Sequence, residues 1–213
     1  MRLSNYLSAF VKPLKKRVTM SILAYRVRAK NPTLTAHPTS IWDYGYHDLH
    51  AIEIGKDVIV GAYSLIIVYH LSPNSSIPGR LILEDRSAVS FGVNIRAAGG
   101  TIRIGTGSAV AGNSVLIAAN HMVKPGEPRF KVRWDETRSG IDIGSNVWVG
   151  AGCVILPGAV IGDDAVIAAG SIVRGTVPAG ELWGGVPARK IRTIGLEKVE
   201  EPERTSSALP FGE

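Results

Sequence analysis

The stretch "LIAANHMVKPGEPRF" (residues 116–130) places a histidine where the chain changes character. Up to Asn120 the sequence follows a six-residue pattern. After His121 the pattern stops for about twenty residues and then resumes. A lone histidine in an arbitrary β protein is more often a packed or surface residue than a catalytic one. A histidine at a repeat break beside a long loop is better placed to be a general base, since imidazole titrates near neutrality and can take a hydroxyl proton. Two other groups invite a chemical reading. Cys153 is the only cysteine and could be a nucleophile, but it falls at an inward repeat position, which favours a small buried core residue. His47 and His50 form "HDLH", too few ligands at that spacing to make a metal site, and polar turn residues are the better reading.

Holding His121 in place falls to the repeat. Aliphatic residues recur every six positions at Ile54, Val60, Ile66; Leu83, Val89, Ile95; Ile104, Val110, Leu116; Ile143, Val149, Ile155; and Ile161, Ile167, Val173. The position four residues later is usually small, as at Ser64, Ser87, Ser108, Ser114, Cys153, Ala159, Ala165 and Ser171. A coil of short strands and turns explains both regularities. Inward side chains stack on their equivalents one coil away, at the ~4.8 Å spacing of paired strands, and small residues sit where the wall bends. Three hexads close one triangular turn. The insertions follow residues 71, 100 and 121, each after a third hexad, so all the irregular loops leave from one corner. Third hexads also differ in their second residue, which is Ile67, Arg96, Ile117, Leu156 or Arg174 and never glycine. His121 belongs to that distinct wall and corner.

Composition agrees. The 213 residues suffice for a substantial core, and 24 glycines with 7% aromatic content suit a turn-rich β protein. One cysteine excludes an intramolecular disulfide. No apolar run approaches membrane-spanning length, and no signal-peptide core opens the chain. The net charge of +6 resides in residues 1–30, which carry eight basic side chains and no acidic one. The remainder has a small acidic excess, which argues against nucleic-acid binding.

The motifs "NH" before a loop, "IDIGSNVWVGAGCVILPGAVIGDDAVIAAGSIV" and "GGVPARKIR" resemble the hexapeptide-repeat acyltransferases over residues 52–195. The nearest branch is that of the maltose, galactoside and xenobiotic acetyltransferases and the polysaccharide O-acetyltransferases. The resemblance implies an all-β, left-handed parallel β-helix; ordinary crossover rules would give the other hand. It also implies a homotrimer with active sites at subunit interfaces. Direct acetyl transfer from acetyl-CoA to a sugar or glycan hydroxyl would follow, with His121 as base and no metal. The Ala151 amide, by the match at "WVGAG", would donate to the oxyanion. Asn94 would hold the acceptor, although the alignment there needs a one-residue gap. Trp148 is either a site wall or a packing aromatic. Coenzyme A would meet Ala169, Arg174, Gly175, Arg189 and Arg192; relatives often carry a charged residue at the position of Gly175. The alternative for Arg189 and Arg192 is a solvated basic tail.

The loop of residues 122–142 is expected to cover the acceptor. Phe130 and Trp134 could stack on a sugar, Arg129, Arg133 and Arg138 could meet an acidic group, and Glu127, Asp135 or Glu136 could orient His121. Residues 14–30 have helical apolar spacing amid Lys and Arg. They form either a basic amphipathic helix on the inner face of an anionic membrane or a helix packed on the protein. Trp42, Tyr44 and Tyr46 would cap the open end of a domain spanning residues 31–195. A short terminal helix and a frayed tail (196–213) would follow, in a cytoplasmic protein. Three further readings share this fold: an N-acetyltransferase of an amino sugar, a γ-class carbonic anhydrase, and a non-catalytic scaffold. The second requires three zinc histidines, whereas only His70 and His121 lie inside the repeat.

Overall fold

The eighteen-residue period closes into a three-walled coil. The computed structural model describes residues 18–44, 49–128 and 132–195. Wall one is a six-stranded parallel sheet whose strands begin with Ile52–Ile54 and Arg80–Leu83 and end with Thr176–Val177. Wall two runs from Thr35–Ala36 through Trp148–Val149 to Glu181–Gly185. Wall three holds Ile41–Asp43, Leu65–Tyr69, Asn94–Ala98, Val115–Ile117, Val154–Ile155 and Ile172–Val173. This is the parallel β-helix that the resemblance implies, of the left-handed kind.

The stacking register follows the sequence period. Val60, Val89, Val110, Val149 and Ile167 are successive partners on wall two. Ile66, Ile95, Leu116, Ile155 and Val173 are successive partners on wall three. All ten are at least 99% buried. Backbone bonds run from coil to coil, as from Ile59 N to Ser87 O at 3.0 Å and from Ala109 N to Val147 O at 2.8 Å. Small residues at the fifth position are buried and also join coils. Ser108 Oγ donates to Gly144 O at 2.7 Å and accepts from Val147 N at 2.9 Å, so a buried hydroxyl is satisfied on both sides. Cys153 is fully buried, its Sγ 3.2 Å from Ala168 O, and burial pushes its thiol pKa up. It is a core residue.

Walls one and two end in tight turns whose fourth hexad position takes positive φ. Asp57, Asn113, Asn146 and Asp164 share it with glycines such as Gly107 and Gly152, and Tyr63 and Arg86 adopt it as well. Asn, Asp and Gly tolerate that region best, which explains why these types punctuate the repeat. Corners are also close-packed. A Cβ on Gly150 would lie 2.6 Å from Ala169 N in the next coil.

The helix of residues 18–30 packs across the first coil. Leu23, Ala24 and Val27 join the core, beside Trp42 and Tyr44. Tyr44 donates its hydroxyl to Leu23 O at 3.0 Å, and Arg28 Nη2 donates to Ala36 O and His37 O, each at 3.2 Å. The packed-helix reading thus describes residues 18–30, while Val18, Ile22 and Tyr25 face outward. Five of the eight basic residues of the extension, and Tyr46 and His47, lie outside the described residues. No described helix is long and apolar enough to cross a membrane. At the other end, Glu181–Gly185 and Ala188–Thr193 form an antiparallel hairpin, and the expected terminal helix falls outside the described residues.

The long loops leave at the corner between walls three and one, as expected from the insertions. The segment after His121 is not irregular throughout. Asn120–His121 pairs antiparallel with Trp134–Asp135, and Met122 N extends the ladder to Arg133 O at 3.0 Å. The returning strand is tied to the preceding corner loop. Trp134 N donates to Asn74 O at 2.9 Å. The Glu136 carboxylate accepts from Ser76 N at 2.6 Å, Ser76 Oγ at 2.8 Å and Ser75 Oγ at 3.0 Å. Those bonds, with Arg133 at 3.5 Å, hold its pKa down to about 2.

Two outcomes are expected. Leu116→Ala, which empties a fully buried site between Ile95 and Ile155, should lower the unfolding free energy by roughly 2–5 kcal/mol in guanidinium titrations. The depressed Glu136 pKa means that its clamp is fully present above the ordinary value of 4.5 and is lost as pH falls through about 2. The Ser76 amide resonance should therefore titrate with a midpoint well below 4.5, and Glu136→Gln should remove hydrogen-exchange protection at Ser76. A midpoint near 4.5 would contradict the clamp.

Candidate active site

Because His121 pairs with Trp134 across the hairpin base, its ring is brought to the outer face of wall three. There it lines a cleft of about 470 Å3 with Ile67, Tyr69, Arg96, Ile117 and Trp134. The Trp134 indole meets the imidazole edge-on, with ring centroids 6.0 Å apart and planes at 78°. The indole itself is held against Gly99. A Cβ there would lie 2.3 Å from Trp134 Cε3, and Gly99 also adopts φ +66°, so glycine serves both the turn and the contact. Trp134 Nε1 is buried with no partner among the described residues. Trp134 thus forms the inner wall of the cleft and braces His121, in addition to presenting an aromatic surface.

None of the three carboxylates considered as orienting groups bonds to His121. Glu127 pairs with Lys124 at 3.8 Å. Asp135 accepts from Thr137 Oγ1 at 2.6 Å and Thr137 N at 3.0 Å, which hold its carboxyl below the usual range. Glu136 is committed to Ser75 and Ser76. Within one chain, aromatic packing and backbone pairing set the imidazole. On the far side of the cleft, Tyr69 donates its hydroxyl to Asp43 Oδ2 at 3.0 Å, and burial with that bond pushes its pKa up.

Asn94 lies on the outer face of wall three, one coil before His121, where its Oδ1 accepts from Arg96 Nε at 3.3 Å. Arg96 was noted in the sequence only as a departure from glycine, yet it lines the cleft. Ala151 is an exposed residue at another corner, between walls two and three, and its amide donates to no acceptor among the described residues. Ala169 is directly above it one coil on, with Gly170 N donating to Ala151 O at 2.8 Å. Trp148 stands on the outer face of wall two and is 51% exposed in the single chain. Arg174 and Gly175 are exposed at the same corner as His121, two coils beyond it. Arg189 and Arg192 lie on the hairpin strand that edges wall two. One chain thus groups His121 with Trp134 and Arg96, and Ala151 with Ala169, a full wall apart. Arg133 and Arg138 are exposed on the loop, while Arg129 and Phe130 lie outside the described residues. Among the described residues no three His, Cys, Asp or Glu side chains cluster as a metal site.

Residues 140–175 match the family model described as bacterial transferase hexapeptide (six repeats). Over 94 residues the chain is 39% identical to the galactoside O-acetyltransferase of Escherichia coli K12, covering 44% of this chain and 45% of that protein. It is 26% identical over 137 residues to the mitochondrial gamma carbonic anhydrase 1 of Arabidopsis thaliana, covering 61% and 50%. The chain spans about half the length of the curated relatives it matches. Among solved structures, the hexapeptide-repeat acetyltransferase VCA0836 of Vibrio cholerae aligns over 92% of this chain and 94% of its own, with TM-score 0.56 and 21% identity. AntD, an N-acyltransferase of Bacillus cereus, aligns over 79% and 84%, with TM-score 0.62 and 19% identity. Residues 140–175 thus match the hexapeptide repeat of the bacterial transferases, in a chain folded as a left-handed parallel β-helix and similar over 44% of its length to a galactoside O-acetyltransferase.

Proposed function

We propose that this chain is an acetyl-CoA-dependent O-acetyltransferase acting on a sugar or glycan hydroxyl. The observation that carries the reading is the placement of His121: an exposed imidazole, braced by Trp134, at a repeat break and in a cleft roomy enough for a sugar. Likeness to the galactoside O-acetyltransferase of Escherichia coli supports the acceptor class, and VCA0836, solved with acetyl coenzyme A, supports the donor.

In this mechanism His121 accepts the acceptor's hydroxyl proton as the oxygen attacks the thioester carbon. The Ala151 amide donates to the oxyanion of the tetrahedral species. His121 then returns the proton to the leaving sulfur, so the chain ends unchanged. No acyl-enzyme is invoked, in keeping with the burial of Cys153. His121 and Ala151 stand at different corners, so a complete site takes His121 from one copy and Ala151 from another. A homotrimer, with acetyl-CoA held along Ala169, Arg174, Gly175, Arg189 and Arg192, meets that need. Fold likeness to AntD keeps an amino sugar as the second acceptor, and product analysis separates an ester from an amide.

His121→Ala is expected to lower kcat by about 10²- to 10⁴-fold while acetyl-CoA affinity stays within about two-fold. Stopped-assay turnover and calorimetry measure the two. Wild-type turnover in that variant would reject His121 as the base.

A further inference from the structure

We infer that Arg96 is the anion-recognition group of the acceptor site, and that the natural acceptor carries a carboxylate or phosphate beside the hydroxyl that is modified. The inference rests on the acetyltransferase reading and narrows its substrate class.

The outer face of wall three is aliphatic on the coils that flank this point. Asn94 lies between Leu65 and Val115 in the sheet, and Arg96 lies between Ile67 and Ile117. These two polar residues interrupt an apolar surface on the coil that precedes His121, and packing does not account for them. Each gives the other something. The Arg96 Nε–H donates to Asn94 Oδ1 at 3.3 Å, which fixes the amide and leaves its Nδ2 hydrogens free to donate. The same bond uses only one edge of the guanidinium. Its terminal nitrogens meet no acceptor among the described residues.

Arginines of the coil fall into two groups, ion-paired ones and, like Arg86 and Arg174, ones that enter no ion pair among the described residues. Arg103 is bonded to Glu84 and Asp142, each at 2.7 Å, Arg80 to Glu53, and Arg133 to Glu136. Arg96 enters no ion pair among the described residues. The carboxylate nearest to it in the outward column of wall three, Asp43, accepts the Tyr69 hydroxyl and makes no ion pair with Arg96. Arg96 and His121 line one cleft that contains no carboxylate, and its remaining walls are apolar or aromatic apart from Asn120. A guanidinium fork flanked by isoleucines matches a planar carboxylate or a phosphate, which it can meet through two parallel charge-assisted hydrogen bonds.

The test compares three acceptors of the full-length protein with acetyl-CoA: a neutral hexoside, the corresponding hexuronate and the hexose 1-phosphate. Wild-type kcat/KM should favour at least one acid over the neutral sugar by roughly 10- to 100-fold, the range for a charge-assisted hydrogen-bonded pair. Which acid gains more identifies the anion. Arg96→Gln should bring that preference close to unity, mainly through KM, and Arg96→Lys should restore part of it. Acetyl-CoA affinity of both variants, measured by calorimetry, should match wild type. Equal use of all three sugars by a wild-type protein that binds acetyl-CoA would overturn the inference and leave the parent reading standing. A change of oligomeric mass in Arg96→Gln would also overturn it, since the guanidinium would then be an interface group. Absence of both acetyl-CoA binding and turnover in the wild type would remove the parent reading, and this inference with it.

Discussion

Everything in this molecule depends on one register: each coil must bond its backbone to the next so that like positions of the repeat stack, whatever length of loop is inserted between them. Where that stacking holds, inward aliphatic residues pile on one another, and wall amides such as those of Ala109 and Val115 donate to carbonyls one coil away. A slip of one residue would turn the whole stack of one wall to solvent. The small fifth residues and the positive-φ fourth residues serve that register. The first leave room for the bend and staple adjacent coils through Ser108 and Ser114; the second let the chain turn within two residues.

A scaffold of this regularity has almost no place for chemistry except where it is interrupted. The interruptions occur at one corner because a third hexad can let the chain out and take it back without shifting the register of the other two walls. At the third such exit the chain leaves through His121 and returns through Trp134. The Glu136 clamp secures the return to an earlier corner loop, and the Gly99 contact seats the indole. A rigid coil and a tied loop together fix the imidazole, which is the kind of support a catalytic base requires.

How much could be read beforehand follows from the range of the interactions involved. The period of six directly encodes which side chains point inward, so the partners Val89, Val110 and Val149 could be read from spacing alone. The corner of the loops followed from counting hexads. Four features escape that reading. The hairpin at His121 has no alternating pattern to announce it, only a two-residue pairing across a twelve-residue excursion. Glu136 is sixty residues from Ser76 in sequence, and its capture there removed it as a partner for His121. Asn94 and Arg96 are visible as residue types, but their bond, and the cleft that Arg96 lines, depend on the outward face of a coil, on which the inward repeat is silent. The separation of His121 from Ala151 is likewise a property of corners, which the inward repeat does not encode.

The most direct measurement is a calorimetric titration of acetyl-CoA into the purified wild-type protein. The account expects saturable binding with a stoichiometry near one donor per chain, as a site assembled from two neighbouring copies in a closed ring would give. Absence of binding at millimolar acetyl-CoA would contradict it and leave the β-helix as a scaffold or as the acceptor of a different donor.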